Sequence, residues 1–328
     1  MSATPPHSDQ QASAKLVRGL LLGLAAAVVI YTVYVLWVDA EGLAQAWARI
    51  PASLLLAACG LSFLNYLVRF VRWQLYLSWL GLHLPWGASF RIHLAGLALT
   101  VSPGKMGETI KSWLLLRRCG APIARTAPIV VAERVTDLLG FLVLLVLSGS
   151  SMLGAAQWMA WTTLGLIGLL LMGLYWRGLQ EAVLRRAVQS RRLAPVATAV
   201  QSSLEASRLV LAPRRLVVPV LLAALGWFCE CLGFYLLAQT FGPVEVATSV
   251  TIFALGALVG ALAFLAPGGL GVTEASMTAL LQHRLSELGV HAAASAAAAT
   301  TLAARLCTLW FAVALGWLAL VWERRSQV

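Results

Sequence analysis

The chain has 328 residues, 60% of them hydrophobic and only 11% charged, with a mean hydropathy of +0.83. A soluble domain carries about 25% charged residues, so the composition excludes a soluble globular fold and points to an all-α polytopic membrane protein. The net charge of +11 would suit nucleic acid, but residues 105–125 hold five basic side chains against one Glu and 177–215 hold eight against two, while 39–50 and 239–246 are net acidic. That segregation is the positive-inside signature, so the basicity is expected to meet the cytoplasm and anionic lipid, with no nucleic-acid partner.

Six runs reach the roughly 20 apolar residues needed to cross ~30 Å of hydrocarbon: about 16–38, 52–75, 125–149, 157–176, 215–239 and 294–321. The first is too long for a signal-peptide core and has no A-x-A site before Asp39, so it is expected to be a retained span. Two further segments, 87–118 and 247–284, are interrupted. One contains Ser102-Pro103-Gly104-Lys105-Met106-Gly107-Glu108 and the other Ala266-Pro267-Gly268-Gly269-Leu270-Gly271-Val272-Thr273-Glu274. Pro lacks an N–H and Gly is conformationally loose, so both end helices. In hydrocarbon such a break survives only where protein or a water-filled cavity satisfies the freed backbone, and paired breaks in two halves of a chain point to a transporter's substrate site.

If both interrupted segments enter and return as re-entrant hairpins, every basic loop falls on one side. The N-terminus, 76–125, 177–214 and the C-terminus are then cytoplasmic, and 39–51, 150–156 and 240–293 lie outside; 247–266 is apolar enough to be a full span instead. The domain plan is a tail (1–15), one transmembrane domain (16–322) and a second tail (323–328). Within the domain, repeat one covers about 52–149 and repeat two about 215–321. The connector at 177–214 reads as an amphipathic interfacial helix, with Arg185-Arg186 and Arg191-Arg192 on anionic lipid. The second copy of the break lies 164 residues after the first at the prolines, and Arg305 lies 171 after Arg134. Three spans separate the two starts, so the second copy is inverted.

The residues Arg69-Phe70-Val71-Arg72-Trp73, Pro103-Gly104-x-x-Gly107-Glu108, Glu133-Arg134-x-x-Asp137 and Pro267-Gly268-Gly269-x-Gly271-x-x-Glu274 together resemble the flippase-like family that shares the transmembrane region of lysylphosphatidylglycerol synthetase. The resemblance spans about 16–322. It implies a multi-pass inner-membrane protein that moves a lipid-linked substrate between leaflets. The synthetases also carry a soluble aminoacyl-transferase domain, for which this chain is expected to have no room, so the resemblance implies the flippase-like part alone.

Several ionisable residues fall inside predicted spans. Glu133, Arg134 and Asp137 lie ~12–18 Å into their span at 1.5 Å per residue, where each costs ~2.5–3.5 kcal/mol to insert. Arg134 reaches Asp137 at i+3. Arg305 reaches a matching depth from the other side, with Glu230 or Glu274 as its partner. Arginine's planar fork suits phosphate, so Arg134 and Arg305 are predicted to hold a headgroup. The alternative is a permanent structural ion-pair network. Gly104 and Gly107, and Gly268, Gly269 and Gly271, are predicted to open half-helices near 107–116 and 273–283, whose N-termini attract anions. Glu108 and Glu274 then either complement the helix dipole or form a proton or cation site. Arg69 and Arg72 read as interfacial anchors; the resemblance adds that they guide headgroups.

The five cysteines, Cys59, Cys119, Cys229, Cys231 and Cys307, read as packing residues. No metal or cofactor is expected. H-E-x-x-H, G-x-x-x-x-G-K-[ST] and G-x-S-x-G are all absent, and His83, His93, His283 and His291 sit near predicted interfaces. The leading function is therefore a lipid flippase or facilitator rather than an enzyme. The other readings are a membrane-embedded headgroup-modifying enzyme and a non-transporting partner of lipid-synthesis enzymes.

Overall fold

The computed structural model describes residues 39–102, 109–149, 153–178, 180–181, 194–263 and 269–325, and every regular element among them is helical. The predicted first span, the break residues Gly104, Gly107, Glu108 and Gly268, and the Arg185–Arg192 cluster lie outside the described residues.

In chain order, α1 (Ala40–Ala48) is capped by the Asp39 carboxylate, which accepts from the Glu41 and Gly42 N–H groups. After Pro51 comes α2 (Ala52–Trp79), then α3 (Trp86–Ala95), which tightens into a 3-10 turn (Gly96–Leu99). The chain resumes in α4 (Ile110–Cys119), the short α5 (Ile123–Thr126) and α6 (Pro128–Ser148). Pro128 starts α6, where a missing N–H costs nothing, and Gly149 ends it in the left-handed conformation at φ 57°. Next come α7 (Leu153–Tyr175), α8 (Ala194–Val210) and α9 (Pro213–Ala238), followed by α10 (Val246–Leu262) and α11 (Val272–Glu287). The last helix is one continuous rod: α12 (Ala293–Arg305), a π-helical turn (Leu306–Trp310) and α13 (Phe311–Arg325).

Four of these helices are long and apolar enough to cross a membrane: Ala52–Trp79, Gln157–Tyr175, Pro213–Ala238 and Ala293–Glu323. They correspond to four of the six predicted runs. A fifth run is α6, which has the length at 21 residues but carries Glu133, Arg134 and Asp137. At 17 residues α10 is about 25 Å long, short of the ~30 Å hydrocarbon thickness.

Small residues set the packing. Gly233 and Gly226 of α9 lie against Ala58 and Asn65 of α2, and Gly140 of α6 against Ala223 and Ala224 of α9, which places α9 in the middle of the bundle. Helices approach this closely in lipid through such residues. The two interrupted segments fold differently in detail. Gly260 of α10 faces Thr273 of α11, and Gly256 faces Met277. One number falls by four as the other rises by four, so α10 and α11 run antiparallel as a helical hairpin. In the first segment, the aliphatic stem of Lys111 on α4 lies across Gly96. Gly316 of α13 meets the backbone of Ala98 in the 3-10 turn. Over the segments near 107–116 and 273–283 the structure has the helices Ile110–Cys119 and Val272–Glu287.

Candidate functional site

Between α2, α6, α9, the α10–α11 hairpin and the α12–α13 rod lies a cavity of about 300 Å³. Arg69, Arg134 and Arg305 are on its wall, with Asp137 and Glu230, three threonines (Thr100, Thr273, Thr308) and the rings of Tyr66, Phe141, Trp227 and Phe253. The volume sits at the lower end of the ~300–1,000 Å³ range of ligand pockets, so it admits a headgroup-sized moiety and not a pair of acyl chains. Two wall donors, Trp227 Nε1 and Thr100 Oγ1, are buried without a hydrogen-bond partner among the described residues.

Each charged residue at the cavity belongs to a specific pair. Asp137 lies between two guanidiniums: Arg72 Nη1 is 2.7 Å from Oδ1, and Arg134 Nη2 is 3.5 Å from Oδ2. The two arginines differ in access. The Arg72 side chain is wholly buried and also donates to Thr136 Oγ1 at 3.0 Å, whereas 25% of the Arg134 side chain is exposed. Beside them, Glu133 of α6 pairs with Lys111 of α4, whose ammonium also lies 4.9 Å from the centre of the Trp73 ring. Arg69 stacks over Trp227 at 5.8 Å, a cation–π contact that holds the guanidinium at the wall.

On the opposite side, Glu274 in the first turn of α11 uses both oxygens. Oε2 accepts the Gly271 N–H at 2.7 Å, and Oε1 accepts Arg305 Nε at 2.6 Å. Gly271 has φ 81°, a left-handed conformation that a side chain would strain, so this helix start requires glycine. Gly269, also at positive φ, packs against the Gly260 carbonyl and lines the cavity. Glu230 accepts from Asn65 Nδ2 at 2.5 Å. Immediately after Arg305 the rod widens into its π turn, where Tyr66 Oη donates to the Thr308 carbonyl at 2.7 Å. Such π turns recur at functional positions of helices.

The structure therefore brings Arg134 and Arg305 to one cavity, each with a carboxylate in reach. It selects Glu274 over Glu230 as the partner of Arg305. The interfacial-anchor reading of Arg69 and Arg72 is corrected: both are buried, at 8% and 0% exposure. Arg69 reaches the cavity wall, and Arg72 lies behind it, on Asp137. His93, expected near an interface, is likewise buried, between the rings of Phe70 and Trp73. Sequence reasoning missed Lys111 and Asn65. Lys111 counts toward a basic loop when read by composition, and its only local sign was its place just past the glycine break.

Among the described residues, the ionisable side chains at the cavity and directly behind it are five cations (Arg69, Arg72, Lys111, Arg134, Arg305) and four carboxylates (Glu133, Asp137, Glu230, Glu274).

Among families of known proteins, the sequence model described as the lysylphosphatidylglycerol synthase TM region matches residues 22–316. No curated protein is significantly similar to the chain.

Proposed function

The chain belongs to the lysylphosphatidylglycerol synthase TM region family, a multi-pass membrane protein family tied to lipid metabolism or transport, and on that premise we propose that it moves a phosphate-bearing lipid or lipid-linked headgroup between leaflets. The observation that carries this reading is the cavity wall bearing Arg69, Arg134 and Arg305. Phosphate is bound best by guanidinium forks, and the start of α11 at Gly271 adds backbone N–H groups and the positive end of a helix dipole on the same side. The apolar and aromatic remainder of the wall suits the glycerol and upper acyl region of a lipid whose tails stay in the bilayer.

The proposed membrane arrangement has six spans and two opposed re-entrant hairpins in an inverted repeat, with both termini cytoplasmic in a cell inner membrane. In support, both interrupted units join a half-helix to a long helix by an ion pair, with the charges reversed: Lys111 of α4 to Glu133 of α6, and Glu274 of α11 to Arg305 of α12. The short α10 favours a hairpin that enters and returns. The basic loops favour the stated orientation.

The test is a headgroup-labelled phospholipid in liposomes containing the purified protein. Redistribution between leaflets supports transport, chemical change of the headgroup supports a lipid-modifying enzyme, and neither supports a scaffold for lipid-synthesis partners. Arg134→Ala and Arg305→Ala should each abolish exchange in folded protein, and Arg134→Lys should recover part of it, because a point charge replaces a fork. Wild-type exchange rates in both folded alanine variants would remove the cavity from the mechanism.

A further inference from the structure

The rod that carries Arg305 serves both interrupted units. Its second half, α13, is fixed against the first unit: Gly316 meets the Ala98 backbone, and buried Glu323 pairs with Arg91 at 2.8 Å and Arg118 at 3.7 Å. Its first half, α12, packs on α11 of the second unit, with Arg305 Nε 2.6 Å from Glu274 Oε1. Residues 305 and 316 are eleven apart, and eleven residues of uninterrupted α-helix make three turns plus about 20°. Arg305 and Gly316 would then point to nearly the same side. The π turn between them holds one surplus residue, which rotates α12 by about 100° relative to α13. One rod thereby addresses the two units from different sides.

Where the surplus residue sits decides the direction of Arg305. Placed one turn nearer the N-terminus, it would put Arg305 into the phase of α13 and swing it about 100° from its present bearing. The side chains of α12 offer little resistance to that: from Ala293 to Ala304 every residue except Leu302 is Ala, Ser or Thr. The turn is gripped from α2 instead. The Phe311 N–H reaches back five residues to the Leu306 carbonyl, which closes the π turn. Inside it, the Thr308 carbonyl accepts the Tyr66 hydroxyl at 2.7 Å, and the Cys307 thiol is directed to the Leu55 carbonyl. The Tyr66 ring, buried, lies with its centre 6.1 Å from that of Phe311. Tyr66, Thr308 and Arg305 all border the cavity.

Resting on the headgroup site proposed above, we propose that Tyr66 is a positioning residue for headgroup binding: through the Thr308 carbonyl it pins the π turn just beyond Arg305 and keeps that guanidinium aimed into the cavity. Glu274 holds the guanidinium through Nε, and Tyr66 holds the backbone from which the side chain projects. The Tyr66 hydroxyl is turned to the rod, so it acts through Arg305 and not on the headgroup. Losing the hydroxyl while keeping the ring preserves the shape of the wall but frees the surplus residue to move along α12. A smaller fraction of molecules then presents Arg305 to a headgroup, and the apparent Kd rises in inverse proportion to that fraction.

The experiment uses the full chain in detergent micelles, with Kd for dihexanoyl phosphatidylglycerol measured by titration calorimetry and folding checked by the SDS-unfolding midpoint. Tyr66→Phe should raise Kd about three- to tenfold, the worth of one buried hydrogen bond. Deleting Leu306 removes the surplus residue, and with it the π turn, while leaving α12 and α13 in their present phase. Leu306 is 46% exposed, so little packing is lost. The deletion variant should bind the probe like the wild type, and in it Tyr66→Phe should leave Kd unchanged. That rescue separates positioning from a structural role, since a hydroxyl that merely stabilised the fold or touched the ligand would cost the same in both backgrounds. Where the deletion variant does not fold, Arg305→Lys takes its place: the combined loss in Tyr66→Phe/Arg305→Lys should fall short of the product of the single losses, because both act on one group. A wild-type Kd in folded Tyr66→Phe overturns the positioning and leaves the headgroup site standing. So does an equal loss with and without Leu306, a folded deletion variant that no longer binds, or single losses that multiply in full. If the wild type does not bind the probe, the headgroup site and the positioning fall together.

Discussion

Asp137 offers a separation of stability from function, because its two arginines do different work. Arg72 is fully buried at 2.7 Å from one oxygen, and Arg134 is partly exposed to the cavity at 3.5 Å from the other. Arg72→Ala leaves a buried carboxylate without its close partner, a change that costs about 3–5 kcal/mol in buried pairs. Arg134→Ala leaves Asp137 on Arg72 and removes a long, partly solvated contact worth about 0.2–1 kcal/mol. The difference between the two variants should therefore be about 2–5 kcal/mol, readable as the shift in SDS-unfolding midpoint of the purified protein. The double variant Arg72→Ala/Asp137→Ala should be less destabilised than Arg72→Ala alone, since it removes the stranded charge. Lipid exchange should show the opposite order, with Arg134→Ala near native in stability yet inactive. Equal destabilisation by the two single variants would refute the division of roles and return both arginines to a purely structural network.

Three further outcomes follow from the packing and the orientation. Gly260→Ala places a methyl against the Thr273 hydroxyl in the α10–α11 hairpin and should cost about 1–3 kcal/mol in the unfolding midpoint; adding Thr273→Ala should recover most of that, because the clash is with the hydroxyl. Gly316→Val meets the Ala98 backbone, with its Cα only 2.7 Å from the new Cβ, and a backbone cannot rotate away, so a loss at or above the upper end of that range is expected, with no rescue by trimming a neighbouring side chain. Cysteine labelling at Arg118→Cys should succeed from the cytoplasmic side alone, and labelling from the outside alone would overturn the orientation. Arg118 is the exposed reporter on α4, whereas Lys111 is buried and would label from neither side.

What could be read along the chain was whatever helix geometry makes local. Four of the apolar runs are helices of spanning length, the glycine phrases fall between shorter helices, and Arg134 meets Asp137 because residues three apart share a helical face. Glu274 at the first turn of α11 was recognisable as a partner for the helix start for the same reason. Partners on different helices were not readable. Glu230 and Glu274 were equal candidates for Arg305 by depth, and the choice rests on how α9 and α11 are rotated about their axes; one residue along a helix turns a side chain by about 100°. Arg72 was indistinguishable from a snorkelling anchor, since a long apolar stem with a charged tip fits a membrane surface and a buried pair equally well. Lys111 became a partner of Glu133 only once α4 packed beside α3, with the Lys111 stem across Gly96. Composition and period settle which segments are helices, whereas the assignment of each charge to its counter-charge waits on the rotation and register of packed helices, and that is a property of the tertiary structure.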